Sequence, residues 1–111
     1  MKIKEPKLRK ELYREIPEGM EFSDIYFEEF PFGEVKDVTF DGCVFNRIGF
    51  SNVNLEDVSL TDCRFVNCDL SNKCFDKMFI TRCEFINSKM VGTSFIEAVL
   101  RDVKFSLVKG D

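Results

Sequence analysis

One spacing constrains this chain above all others. From Val38 to Phe105 every fifth residue is a large apolar one: Phe40, Phe45, Phe50, Leu55, Leu60, Phe65, Leu70, Phe75, Ile80, Phe85, Met90, Phe95, Leu100 and Phe105. The fourteen positions contain no gap, in a chain that is 44% apolar. Chance gives such a run with a probability of roughly one in 10⁵, so this period decides the fold.

A second series lies two residues ahead of the first: Val38, Cys43, Ile48, Val53, Val58, Cys63, Cys68, Lys73, Met78, Cys83, Ser88, Thr93, Ala98 and Val103. It is small or apolar everywhere except Lys73. The unit therefore reads small-apolar, any, large-apolar, polar, polar. Residues two apart share one face of an extended segment. A helix needs apolar spacings of three and four, which a period of five does not supply. Each unit is a very short strand with an inward pair, followed by a turn.

Cys68-Asp69-Leu70-Ser71-Asn72 and Val53-Asn54-Leu55-Glu56-Asp57 carry a known pattern: small residue, Asp or Asn, Leu or Phe, two polar residues. In these units the chain resembles the pentapeptide-repeat family. The resemblance implies an all-β solenoid, a right-handed quadrilateral β-helix with four units per coil and about four to five coils here. Asp or Asn fills the second place only at Asn54 and Asp69, which loosens any tie to a named subfamily. With that coil length, residues twenty apart stack. Cys43, Cys63 and Cys83 form one inward column and Phe45, Phe65, Phe85 and Phe105 the next. Outside, Arg64, Glu84 and Lys104 alternate in sign, and Asn52 and Asn72 share a turn position that suits Asn.

Before the regular repeats lie two further segments. Residues 1–17 are not repetitive; Leu8, Leu12 and Ile16 fall four apart, so a short helix after Pro6 is expected as a cover for the first coil. Residues 18–37 repeat the inward pair in another phase, as Met20 and Phe22, Ile25 and Phe27, Phe30 and Phe32. The phase then moves by three, which places a looped corner at Phe32–Asp37 before the regular β-helix of residues 38–108.

Charge is uneven. Residues 18–37 hold seven acidic side chains and one basic, whereas residues 38–107 hold nine acidic and eight basic. No segment has the basic excess of a nucleic-acid groove, so direct nucleic-acid binding is not expected. No apolar run is long enough for a membrane span, and the basic N-terminus lacks an apolar core of a secretory signal. Five cysteines without scaffold spacing fit a reducing compartment, and a cytoplasmic location is expected.

The chemistry of catalysis is sparse. There is no histidine, which removes the commonest general base and metal ligand together with the usual triads. No phosphate-cradling Gly-rich motif and no Cys-x-x-Cys pair occurs. The cysteine column reads as a set of small core residues rather than as thiolate ligands, so neither metal nor other cofactor is expected. Cys74, on an outward position, is the thiol most open to reaction. Lys73 faces inward; a distorted corner that lets it reach Asp69 or Asp76 is the expected solution, with Lys73→Ala raising the melting temperature.

Function is then sought on the surface. Outward apolar residues are Val44, Val66, Phe79, Ile86, Val91, Ile96, Val99 and Leu107, concentrated in the last coils. The candidate interaction surface is Phe79, Ile86, Val91, Ile96, Val99 and Leu107. With no capping pattern after Leu107, a homodimer through the C-terminal coil is expected. The first reading is a non-catalytic protein-interaction or scaffold module. The second comes from the resemblance: some relatives are dimeric acidic rods that mimic DNA and bind DNA gyrase, in the manner of quinolone-resistance proteins.

Overall fold

The computed structural model describes residues 18–110. The expected helix after Pro6 lies outside the described residues, and no helix occurs among them. The chain winds through twelve strands of two or three residues each: β1 (Glu21–Ser23), β2 (Tyr26–Phe27), β3 (Glu34–Lys36), β4 (Thr39–Asp41), β5 (Val44–Asn46), β6 (Asn54–Glu56), β7 (Ser59–Thr61), β8 (Arg64–Val66), β9 (Phe79–Thr81), β10 (Glu84–Ile86), β11 (Val99–Arg101) and β12 (Lys104–Ser106).

These stack into a four-walled β-solenoid of about four turns. The first wall is the parallel ladder β1-β4-β7-β9-β11, and the second is β2-β5-β8-β10-β12. The third is held by single parallel bridges, Gly49 to Asp69 to Lys89 to Lys109. The fourth begins as the pair β3-β6 and continues as a bridge between Cys74 and Ser94. Phe45, Phe65, Phe85 and Phe105 are mutual register partners, each twenty residues from the next.

The five-residue period has a conformational cause. Two residues after most of the large inward residues, though not after Phe50, the backbone turns through the left-handed region. Thirteen non-glycine residues do so, with φ between 48° and 62°, and eight of them are Asp or Asn. These two tolerate that conformation best among residues with a Cβ, because their short polar side chains bond locally. Most of these turns aim the N–H at the next coil: Gly42 N–H donates to Thr61 O (2.8 Å), Asp62 to Thr81 O (2.9 Å) and Arg82 to Arg101 O (2.7 Å). Gly42 takes the same conformation with φ 71°, and a Cβ there would push the exposed Asp24 carboxylate aside.

The first coil is shorter. Phe22 aligns with Phe40 and Phe27 with Phe45, eighteen residues apart, whereas Val35 aligns with Leu55 at the regular twenty. The difference is taken up between Phe27 and Glu34, where residues 28–33 make no ladder. The corner expected at Phe32–Asp37 thus lies mostly earlier. Val35, 1% exposed, is already an inward member of the regular series. Sequence reasoning missed this because Gly33, in the small position, was read as a loop residue rather than as the start of a unit.

Inside, the phenylalanines stack. Ring centroids are 5.1 Å apart for Phe27 and Phe45, 4.6 Å for Phe45 and Phe65, 5.0 Å for Phe65 and Phe85, and 5.1 Å for Phe85 and Phe105, each pair inclined by 9°. This spacing follows from the separation of neighbouring strands, about 4.8 Å. Adjacent columns meet edge to face, as Phe40 does Phe45 at 5.2 Å and 78°. Both geometries suit the ring quadrupole.

Candidate interaction surface

The cysteines were candidates for chemistry, and the geometry gives them another task. Side chains in the small inward position donate to a carbonyl of the coil below. Cys63 Sγ reaches Phe40 O at 3.3 Å, Cys68 Sγ reaches Phe45 O at 3.1 Å, Ser88 Oγ reaches Phe65 O at 3.3 Å, and Thr93 Oγ1 reaches Leu70 O at 2.8 Å. At these places the small residue is also a donor, which apolarity alone did not disclose, whereas Val38, Ile48, Val53, Val58 and Met78 hold the same position without one. Hydrogen bonds with Cys43 and Cys83, followed by burial, push the Cys63 thiol far above its usual range, while both partners are shifted down by that bonding. Burial pushes Cys68 up to about 11. Among the described residues no group of three or more His, Cys, Asp or Glu could hold a metal.

Lys73 also finds a carbonyl. Its Nζ donates to Val53 O at 2.8 Å, one coil below. It pairs with neither Asp69 nor Asp76, contrary to expectation. Those carboxylates are engaged locally: Asp69 accepts from Ser71 N–H at 3.1 Å, and Asp76 accepts from the Ser94 hydroxyl and from Ile96 N–H at 2.7 Å. These bonds hold both carboxyls below their ordinary range, led by the bond from Ser71 to Asp69 and from Ser94 to Asp76.

An open groove of about 660 Å³ follows the corner between the first and second walls, with Asp24, Asp41, Asp62, Arg82 and Asp102 along it. Arg82 divides this acidic line. Its Nε and a terminal nitrogen bond the Asp62 carboxylate at 2.7 and 3.1 Å, which lowers the Asp62 pKa. On the second wall, Arg64 faces Glu84 at 3.5 Å.

The six residues singled out for contact lie around the last coils in two groups. Phe79 and Val99 are register partners on the first wall, 60% and 42% exposed, and Ile96 (66% exposed) lies three residues before Val99 across the turn. Ile86 belongs to the second wall beside Val66 and is half-buried, as is Val91 beyond the third. Leu107 follows β12 at the corner of the second and third walls and is 80% exposed. Val44, read as outward, is buried; its register neighbours are Tyr26 and Arg64, two of the longest side chains of that wall.

Two further exposed residues escaped the sequence reading. Leu100 and Phe105 occupy inward columns, yet they are 41% and 46% exposed, whereas Ile80 and Phe85 below them are fully buried. Their inward pattern concealed them.

Comparison with known proteins agrees with this architecture. A family model for pentapeptide repeats in eight copies matches residues 36–72, and a pentapeptide repeat region model matches residues 58–110. The chain belongs to the pentapeptide-repeat family. Among solved structures, this pentapeptide-repeat chain is similar to QnrB1, a plasmid-mediated fluoroquinolone resistance protein, with a TM-score of 0.69 at 19% identity over 86% of this chain and 53% of that one. The chain thus spans about half the length of that protein. It is more loosely similar to the pentapeptide-repeat protein Rfr23 from the cyanobacterium Cyanothece 51142, with a TM-score of 0.39 at 10% identity over 84% of this chain and 89% of that one. No curated protein matches it. No helix among the described residues is long and apolar enough to cross a membrane.

Proposed function

We propose that this pentapeptide-repeat rod is a non-catalytic interaction module that associates with a second copy of itself through its last coil. One observation carries the reading: Phe79, Ile96 and Val99 are apolar residues at outward positions of the later coils and are 60%, 66% and 42% exposed. The rod measures 36 × 26 × 22 Å along its principal axes. Five free thiols, four of them buried, support a reducing compartment such as the cytoplasm.

Sedimentation equilibrium of the full chain tests this. The expected result is a dimer that Phe105→Asp converts to a monomer of unchanged circular dichroism. A wild-type chain that stays monomeric at the highest attainable concentration refutes it.

A second reading, a DNA-mimicking ligand of DNA gyrase, draws on the first coil, where Glu21, Asp24, Glu28, Glu29, Glu34 and Asp37 are all exposed. A mimic of the duplex needs such charge along its length. Here the later coils pair theirs, as Asp62 with Arg82 and Glu84 with Arg64. A gyrase supercoiling assay with and without a fluoroquinolone separates the two readings.

A further inference from the structure

Between the coil of residues 48–67 and that of residues 68–87, three walls are bonded and the fourth is not. β7 pairs with β9, β8 pairs with β10, and Gly49 bridges Asp69. On the fourth wall β6 pairs with β3 below it, and Cys74 bridges Ser94 above it. No bridge joins Asn54 to Cys74 among the described residues. The regular bonds of this wall run from Asn54 N–H to Gly33 O at 2.8 Å and from Ser94 N–H to Lys73 O at 3.0 Å. The matching bond between them, from Cys74 N–H to Val53 O, is missing. Val53 O accepts instead from Lys73 Nζ at 2.8 Å, and among the described residues this one hydrogen bond crosses the gap.

The gap starts at a corner. Asn72 and Gly92 turn with φ 60° and 73°, and Asn72 N–H donates to Val91 O at 2.9 Å. Asn52, one coil earlier, does not take that conformation, and its N–H makes no bond to the next coil. The core behind the gap is loosened as well. Leu55 is half-buried, although Val35 below it and Phe75 above it are each 1% exposed. An apolar cavity of about 10 Å³ is lined by Leu55 together with Phe50, Phe65 and Phe75.

We infer that this seam is a hinge built into the rod. In the order of winding the fourth wall stands opposite the second. The seam therefore opens and closes by a swing about β8 and β10, whose ladder stays whole. Regions held by few hydrogen bonds and loose packing open at the lowest cost. One side-chain bond opposes the swing here, whereas on the other three walls backbone bonds hold the same two coils together. Lys73 is the tie that limits the opening, which is a task for the one long charged side chain in the small inward series. The swing changes the angle between residues 18–67 and residues 68–110. It turns the acidic first coil relative to Phe79 and Val99, and it widens the apolar mouth at Leu55.

The test places nitroxide labels on both sides of the seam in the full chain, using Asn54→Cys with the native Cys74, since the other four thiols are buried. A reference pair on the bonded second wall uses Arg64→Cys and Glu84→Cys in a Cys74→Ser background, where residues 64 and 84 are register partners. The spin–spin distance distribution across the seam should be at least about twice as wide as that of the reference pair. Lys73→Met should widen it further, and Lys73→Arg, which keeps a donor, should restore it. Equal widths on the two walls overturn the hinge, and an unchanged width in Lys73→Met overturns the tie. A second measurement separates a moving seam from a fixed gap without labels. Under copper phenanthroline in air, a swing that closes the seam brings the thiol introduced by Asn54→Cys within bonding reach of Cys74, and an intramolecular disulfide forms. A seam pair that stays reduced where the reference pair oxidises overturns the proposal.

Discussion

Phe65→Ala tests the filled tube most directly. The ring lies between Phe45 at 4.6 Å and Phe85 at 5.0 Å, meets Phe50 at 5.9 Å, and is 3% exposed. Truncating a buried phenylalanine costs about 3–5 kcal/mol, because transfer energy is lost and a cavity remains. Stacked rings add about 0.5–1.5 kcal/mol per pair beyond burial, and this substitution removes two such pairs. The surrounding wall has little freedom to collapse, since β8 is bonded on both sides by β5 and β10. The upper part of that range is therefore expected, a large share of the 5–15 kcal/mol by which domains are typically stable. Urea unfolding followed by circular dichroism measures it as a shift in midpoint at constant slope. Phe105→Ala, measured at a concentration that keeps the chain monomeric, supplies the comparison. That ring is 46% exposed and stacks on one neighbour of its column, Phe85, so its loss should be less than half as great. A Phe65→Ala cost below about 1 kcal/mol, or one equal to that of Phe105→Ala, contradicts the stacked column.

Lys73→Ala is expected to lower the melting temperature, the reverse of what the inward position alone implied, because Val53 O loses its donor; an increase in a thermal scan counts against the observed bond. Arg82→Gln should destabilise the rod at neutral pH. The depressed Asp62 pKa makes that contribution complete above the ordinary carboxylate value of about 3.9 and loses it as pH falls through the lower folded value. Melting curves of wild type and variant should therefore converge in acid, and a gap that persists there rules out the pair as its source. Of the five thiols, one should react promptly with a chromogenic disulfide in the native state, namely Cys74. Rapid reaction of a second would place another cysteine at the surface.

Much of the fold was legible because the period is written in side chains that differ sharply in size. Phe45, Phe65 and Phe85 sit where a step of twenty places them. The early corner was harder to place. Gly33 has no side chain to show its place in the unit, and the pattern of Phe30 and Phe32 continues across it. The cysteine column was legible as small but not as a donor series, since a bond to a carbonyl twenty-three residues away leaves no trace in local sequence. The contact surface was read only in part. Phe79, Ile96 and Leu107 stand out as apolar residues at outward positions. Leu100 and Phe105 do not, because they follow the inward pattern and only the structure shows them exposed.

The constant step of twenty also governs how this rod assembles and loosens. Each coil touches only the one before and the one after, so order spreads from any formed pair as along a line of neighbours. Amide exchange should be slowest at β7 and β8 and quicken toward β12. A tandem duplication of residues 59–78 should lengthen the rod by one turn with every side chain still in phase, whereas a duplicated stretch of any other length outside the five-residue rhythm should halt the winding at the insertion.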